Sequence, residues 1–205
     1  MFHESTSFKH TNRYILVDPA NEKKKTSDFT VMWVVGLGPD ENYYIVDVVR
    51  DRLSLTERAD MLFHLHRTHR PRGVGYEKYG MQADISHIKD VMKRTNYNFK
   101  ITELGGALSK VDRIRKLIPI FEQGRVYLPS TCWKTDYEKK TINLVDSFVN
   151  EEYLNFPVSL HDDMLDALAR ILDEDMKTSW PKPISTREDR YQPKNRVVKG
   201  SAWSA

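Results

Sequence analysis

The residues best suited to chemistry in this 205-residue chain are acidic and lie in three separate stretches. "YILVDPA" places Asp18 after a short apolar run, "GVGYEK" carries Glu77, and "LHDDMLDALARIL" carries Asp162, Asp163 and Asp166. Carboxylates held a few ångströms apart raise one another's pKa unless a cation balances their charge. Oxygen ligands without a set of Cys or His favour Mg²⁺ or Mn²⁺ over zinc. If the fold unites the three stretches, they predict a divalent-metal site.

The chemistry expected of such a site is phosphodiester hydrolysis. Two ions about 3.5 to 4 Å apart can activate a water and steady the leaving oxygen. We therefore predict a nuclease in which Asp18 bridges two Mg²⁺ or Mn²⁺ ions, while Glu77 and Asp163 each complete one site. Because the stretches are far apart in sequence, only the fold can bring them together.

The third stretch leaves the choice of ligand open. At about 100° per residue, the apolar side chains between Met164 and Leu172 cover one broad arc of a helix. Asp162 and Asp163 fall near opposite margins of this arc, and Asp166 lies midway across the polar face. Asp162 could instead cap the helix in a capping box with Ser159. Asp163 is the best single ligand, and Asp166 is expected to be accessory or merely solvated.

The two other acids also have structural alternatives. Asp18 precedes Pro19 and could belong to a turn. Glu77 could form a surface salt bridge with Lys78 or Arg72. Since sites in mixed α/β sheets are usually built at strand ends, we favour the metal-ligand role for both acids.

The elements that must position these acids follow from hydrophobic periodicity and turn signals. Three strand-type runs joined by short connections predict an antiparallel meander: Tyr14 to Val17, Phe29 to Gly38, and Asn42 to Arg50. Next come a helix with a capping pair, a strand ending near Glu77, a second helix, and a fifth strand. A third helix stops at Gly124, residues 125–129 are extended, and residues 136–152 and the third acidic stretch are helical. This order predicts an α/β fold, a mixed sheet of five or more strands with helices on both faces.

The composition narrows the class of protein. A single cysteine, Cys132, cannot form an internal disulfide, which fits a reducing cytosol. No sequence feature predicts membrane insertion or secretion. The net charge of +3 is unevenly distributed, because residues 177–205 hold seven Lys/Arg against two Asp/Glu. We predict a leader over residues 1–12, one domain over 13–176, and a basic, flexible tail over 177–205, either solubilising or an arm for nucleic acid or a partner protein.

In their order and gaps, the three stretches resemble the acidic motifs of the nuclease domain in large terminase subunits of tailed bacteriophages. The resemblance covers residues 14–176 and includes "SKVDRIRKLIPIFEQGRVYLP". It implies an RNase H-like (RuvC/resolvase-type) fold and a metal-dependent endonuclease that cuts concatemeric double-stranded viral DNA. It also implies Asp18, Glu77 and the Asp162/Asp163 pair as metal ligands. Asp28 resembles an accessory acid, with a strand-start residue as the alternative.

The same resemblance implies partners and a location. The partners are double-stranded DNA, a packaging ATPase domain, a portal protein and a small terminase subunit, in the host cytoplasm at the procapsid. No G-x-x-x-x-G-K-[ST] occurs, and "GGALSK" lacks the second glycine before its lysine. ATP hydrolysis is therefore not assigned, and we expect an excised C-terminal nuclease domain.

Basic residues near the acids are candidates for DNA contacts, with a solvated loop or helix face as the alternative. They are Lys23, Lys24, Lys25, Lys110 and Arg113. His161 directly precedes Asp162 in the third acidic stretch and could bind a phosphate, tune a ligand or be structural. Cutting should depend little on base sequence, because nothing is typical of a major-groove recognition helix.

Two other functions stay open at this point. A junction resolvase or integrase-like nuclease would keep the fold but prefer branched DNA. A non-catalytic module that holds DNA or docks on a portal would have acids that are only structural.

Overall fold

A mixed β-sheet forms the centre of the molecule in the computed structural model, which describes residues 2–3, 10–20, 29–78 and 82–182. Within those ranges the sheet has seven strands: β1 (Phe2–His3), β2 (Asn12–Asp18), β3 (Thr30–Leu37), β4 (Tyr43–Asp51), β5 (Gly73–Glu77), β6 (Ile101–Leu104) and β7 (Val126–Pro129). Their order across the sheet is β1-β7-β4-β3-β2-β5-β6.

The antiparallel meander predicted for the first three apolar runs is confirmed. β2 pairs with β3 and β3 with β4, both antiparallel. β5 then lies parallel to β2, and β6 lies parallel to β5. Since parallel strands end at the same edge of a sheet, the carboxyl ends of β2 and β5 are neighbours.

Helices cover both faces of the sheet, as predicted. The helical elements in the described residues are α1 (Leu55–His69), α2 (Gln82–Thr95), α3 (Lys110–Arg115), α4 (Ile118–Glu122), α5 (Leu144–Ser147), a π-helical turn (Phe148–Tyr153), α6 (Asp163–Ala169), and 3₁₀ turns at Arg170–Leu172 and Glu174–Met176. Side chains of α1 and α2 bury the face that holds Ile15 and Val34. α3, α5 and α6 bury the opposite face, which holds Leu16 and Trp33. The alternation of strand side chains thus builds two cores from one sheet.

The predicted third helix is broken into two short helices. Pro119 stands in the first turn of α4 and has no N–H to donate to a preceding carbonyl. A continuous helix would also push its ring against the carbonyl of Arg115, so α3 ends there. The predicted stop at Gly124 is confirmed, since this glycine has a φ of 65°, which disfavours other residues.

The prediction of a helix over residues 136–152 is wrong for the first half of this segment. Lys139 turns the chain with a φ of 64°. Two short strands, β8 (Trp133–Thr135) and β9 (Thr141–Asn143), then pair as an antiparallel hairpin. The helix begins only after Asn143, whose side chain accepts a hydrogen bond from the N–H of Val145.

The packed chain extends past both predicted domain boundaries. β1 lies within the predicted leader and pairs with β7. At the other end, Asn12 Nδ2 donates to the carbonyl of Ser179 at 2.7 Å, and Trp180 packs edge-on against Tyr43. These contacts continue to Trp180, while residues 183–205 of the predicted tail lie outside the described residues. Across the described ranges, no helix has the length and apolar character needed to cross a membrane.

Candidate metal centre

The pairing of β2 with β5 places Asp18 beside Glu77. Val17 is paired with Tyr76 in the parallel register, so the next residue on each strand is an acid at the same sheet edge. Gly75 packs closely against β6, since an added Cβ would lie 2.5 Å from Leu104 Cδ1 and would require that side chain to shift. The predicted convergence of these two acids is thus a direct result of strand register.

Helix α6 brings two further acids to the same edge. The indole Nε1 of Trp33, a β3 residue, donates to the carbonyl of Met164 at 2.8 Å and fixes the start of α6 on the sheet. Asp163 and Asp166 lie three positions apart, and therefore on neighbouring points of one helix face. Both are buried, with 8% and 4% of their surface exposed.

The start of α6 is capped by a residue from another element. Glu152, which is 0% exposed, accepts hydrogen bonds through Oε2 from the N–H groups of Met164 (2.9 Å) and Leu165 (3.0 Å). Asp162 is the N-cap residue, but its side chain makes no capping hydrogen bond, so the predicted capping box with Ser159 is not formed. Glu152 supplies the missing acceptor, and burial raises its pKa from 4.5 to about 7.

Three of the acids form a tight cluster. Carboxylate oxygens of Asp18, Glu77 and Asp166 all lie within 4.8 Å of one another. Burial raises the pKa of Asp18 well above 3.8, and the charges of Glu77 and Asp166 raise it further. Asp163 adds to the same effect. Crowding of this kind favours a proton on Asp18 unless a cation balances its charge.

Two buried arginines fix the orientation of two of these acids. Arg113 donates from Nε and Nη2 to the two oxygens of Asp166, at 2.6 and 2.7 Å. Arg170, which is 2% exposed, donates from Nη2 to Glu77 and from Nη1 to Asp173. Because a guanidinium presents its donors in a rigid plane, each arginine holds its partner in one geometry.

A lysine binds the outer side of the cluster. Lys110 Nζ lies 2.6 Å from Asp162 Oδ1 and 2.9 Å from Asp163 Oδ1. Partial burial would lower the pKa of Lys110, but its hydrogen bonds to the two carboxylates outweigh burial and raise it above the ordinary value. The ammonium therefore stays charged.

Two features of the cluster remain unbalanced. Within the described ranges, no basic side chain forms an ion pair with Asp18. Asp163 Oδ2 is buried without a hydrogen-bond partner there. A buried carboxylate oxygen without a donor is costly unless a cation meets it, so this arrangement fits a hard divalent ion such as Mg²⁺ or Mn²⁺.

The structure contradicts a solvated position for Asp166 and for Arg113. The helical pattern placed Asp166 on the polar face of α6. Asp166 is not solvated there, because α3 packs across that face. Arg113 was predicted to contact DNA or to lie on a solvated face, but it is 6% exposed, and its Nε and Nη2 donate to the two oxygens of Asp166. The helix period shows which residues share a face, but it does not show how many faces a second helix covers.

The remaining candidates divide by location. Lys110 faces the acids, and His161 packs edge-on against Phe29 with ring centroids 5.9 Å apart. Lys23, Lys24, Lys25 and Asp28 lie outside the described residues.

Sequence reasoning missed Glu152 and Arg170. Arg170 had a usable signal, as the one charged side chain in the apolar run "ALARIL". Glu152 had none, because it lies beside Glu151 in a segment with no distinctive pattern.

This arrangement is that of an RNase H-like α/β domain. An antiparallel meander is followed by parallel strands, and acids on a helix lie opposite two strand ends. A family model described as the terminase RNaseH-like domain matches residues 15–174, and the chain belongs to this family. The resemblance drawn from the three acidic stretches is thereby confirmed.

Comparisons with solved structures agree with this fold. The chain is similar to the human cytomegalovirus terminase nuclease domain, at 14% identity and a TM-score of 0.62 over 86% of this chain and 92% of that chain. A manganese-soaked, inhibitor-bound form of that domain gives 13% identity and 0.58 over 85% and 89%. The large terminase nuclease of thermophilic phage G20c gives 15% identity and 0.51 over 78% and 80%. Comparison with curated proteins gave no match.

Proposed function

We propose that this chain is the metal-dependent endonuclease domain of a viral DNA-packaging terminase, which cuts concatemeric double-stranded DNA by phosphodiester hydrolysis. Membership of the terminase RNaseH-like family supports a nuclease. The observation that carries the proposal is the acid cluster around Asp18, where three carboxylates crowd together and one buried oxygen of Asp163 has no partner among the described residues.

Asp18, Glu77 and Asp163 are the proposed metal ligands. Asp18 would be shared between two ions, Glu77 would complete one site, and Asp163, with Asp162 beside it, would complete the other. Two Mg²⁺ or Mn²⁺ ions, when bound, would supply positive charge and a reactive water for hydrolysis.

The surroundings of Asp162, Asp163 and Asp166 support Asp163 as the metal ligand among the three. Asp163 has a buried oxygen with no partner in the described part of the chain. Both oxygens of Asp166 bind Arg113, and Asp162 has a more exposed side chain that pairs with Lys110. Asp166 is therefore assigned a supporting role at the inner side of the cluster.

The protein's own residues prepare this geometry in advance. Arg170 holds Glu77, Arg113 holds Asp166, and Glu152 fixes the start of the helix that carries Asp163. A site that is already ordered loses little entropy when its ligands bind.

Substrate, partners and location are proposed from the family. Double-stranded DNA is the proposed substrate, and a packaging ATPase domain, a portal protein and a small terminase subunit are the proposed partners. The proposed place of action is the host cytoplasm at the procapsid.

The test is nicking of supercoiled plasmid by the purified chain in Mn²⁺, with EDTA as the blank. We expect Asp18→Asn and Asp163→Asn each to lose at least about 100-fold, because even outer-shell changes at metal sites cost 10- to 100-fold. Asp90→Asn is the matched control, since Asp90 is an exposed acid on α2, on the other face of the sheet, and it should cut like the wild type.

Three outcomes would contradict the proposal. Undiminished nicking in Asp18→Asn would remove the catalytic assignment. DNA binding without any cutting by the wild type would favour a holding module. A strong preference for a four-way junction over linear duplex would favour a resolvase.

A further inference from the structure

A cation of the protein itself already lies among the proposed metal ligands. The ammonium of Lys110 bridges Asp162 Oδ1, at 2.6 Å, and Asp163 Oδ1, at 2.9 Å. It therefore occupies one of the two oxygens that Asp163 could offer and leaves Oδ2 for a bound ion.

Lys110 differs from the two arginines of the site in how firmly it is held. Arg113 and Arg170 are buried, with 6% and 2% of their surface exposed. Lys110 is the first residue of α3, and 38% of its side chain is exposed. Because a lysine side chain is flexible and its ammonium is strongly hydrated, Lys110 can swing into solvent without disturbing either core.

The two carboxylate oxygens of Asp163 are therefore not equivalent. Oδ2, the inner oxygen, is buried without a hydrogen-bond partner among the described residues, and the charge of Asp163 adds to the raised pKa of Asp18. The outer oxygen, Oδ1, and Asp162 already form ion pairs with the ammonium. A divalent ion on this outer side would meet a positive charge at close range, so the ammonium and the ion exclude each other.

We propose that Lys110 is a resident cation that fills the outer position of the acid cluster in the DNA-free domain, so that one divalent ion binds tightly and a second binds only when Lys110 leaves. This inference rests on the proposed function, because it assumes that the cluster binds divalent ions. It gives Lys110 a regulatory role that differs from a simple DNA contact.

The test is a Mn²⁺ titration of the purified, EDTA-stripped chain by isothermal calorimetry, without DNA. We expect one tightly bound ion in the wild type and two in Lys110→Met, or a second ion bound at least tenfold more tightly than in the wild type. Lys110→Arg keeps the positive charge and should give the wild-type stoichiometry.

Lys116→Met is the matched control. Lys116 is exposed, follows the same helix and makes no ion pair with the acids in the described structure, so this variant loses the same charge at a distance from Asp163. It should titrate like the wild type. Circular dichroism melting of each variant checks the fold, and Lys110→Gln replaces Lys110→Met if the latter does not fold.

The outcomes separate this inference from the proposed function. Two tightly bound ions in the wild type, or the same titration in Lys110→Met and the wild type, would overturn the role of Lys110 and leave the nuclease intact. Absence of any Mn²⁺ binding by the wild type, together with absence of nicking, would overturn the proposed function itself.

Discussion

Two buried networks of charged residues lie on opposite faces of the sheet, and only one of them is balanced. On the face covered by α1 and α2, Arg58 donates from Nε and Nη2 to the two oxygens of Asp84, at 2.7 and 2.8 Å. The hydroxyl of Tyr76 donates to Asp84 Oδ2 at 2.6 Å, and Arg58 Nη1 donates to the carbonyl of Leu53. Each charged group in this network has a partner of opposite sign.

The network on the other face is open. Several carboxylates share the sheet edge around Asp18, and one oxygen of Asp163 stays unpartnered in the described chain. Tyr76 and Glu77 are consecutive residues of β5, yet their side chains belong to different networks because strand side chains alternate between faces. In the closed network every charge is compensated within the fold, whereas the open network keeps charge available for a ligand at a cost in stability.

The largest expected effect on stability comes from breaking the closed network. Asp84→Ala leaves the buried guanidinium of Arg58 without a counter-charge, and we expect a loss of about 3 to 5 kcal/mol in the free energy of unfolding. Urea denaturation measures it, with Asp90→Ala as the exposed control. We also expect Asp84→Ala to nick plasmid as the wild type does, per folded molecule. A loss below about 1 kcal/mol would show that this network contributes little to the stability of the fold.

A smaller effect should appear as a pH dependence of the metal-free protein. The pKa of Glu152 is raised from 4.5 to about 7, so between these values the folded state keeps a proton that the unfolded state has lost. The free energy of unfolding should therefore fall as pH rises through this window, by up to roughly 3 kcal/mol. Below pH 4.5 the penalty is absent, and above 7 it is complete.

Glu152→Gln tests the source of this pH dependence. Glutamine keeps an oxygen that can accept from the two N–H groups at the start of α6, but it cannot ionise. Its unfolding free energy in EDTA should fall less steeply between pH 4.5 and 7 than that of the wild type. Glu152→Ala should lose stability at every pH, since two buried N–H groups lose their acceptor. Equal slopes in Glu152→Gln and the wild type would refute this account.

The smallest expected effect has the opposite sign. Asp18→Asn removes one charge from the open network, where burial and the neighbouring carboxylates raise the pKa of Asp18. We expect the metal-free variant to gain about 1 kcal/mol in unfolding free energy at pH 8, because the cost of the crowded charge is relieved. A destabilised variant at pH 8 in EDTA would mean that Asp18 contributes to the fold as Asp84 does.

The local pattern of apolar residues was enough to place two of the acids at strand ends. Asp18 and Glu77 each end an apolar run that proved to be a strand, and their predicted meeting at one sheet edge follows from the parallel pairing of β2 with β5. The first half of the helix predicted over residues 136–152 failed because hairpin pairing of β8 with β9 outweighed weak local helix signals. Propensity decides little where a long-range pairing competes with it.

The sequence by itself determined the type of fold, the acidic chemistry and the strand ends that carry Asp18 and Glu77. Only the tertiary structure decided the roles on α6. Packing of α3 against that helix buried Asp166 and placed Arg113 on it, and a π-helical turn brought Glu152 to the helix start. The physical reason is that periodicity describes one element at a time, whereas the burial and pairing of a charge depend on which other elements pack against it.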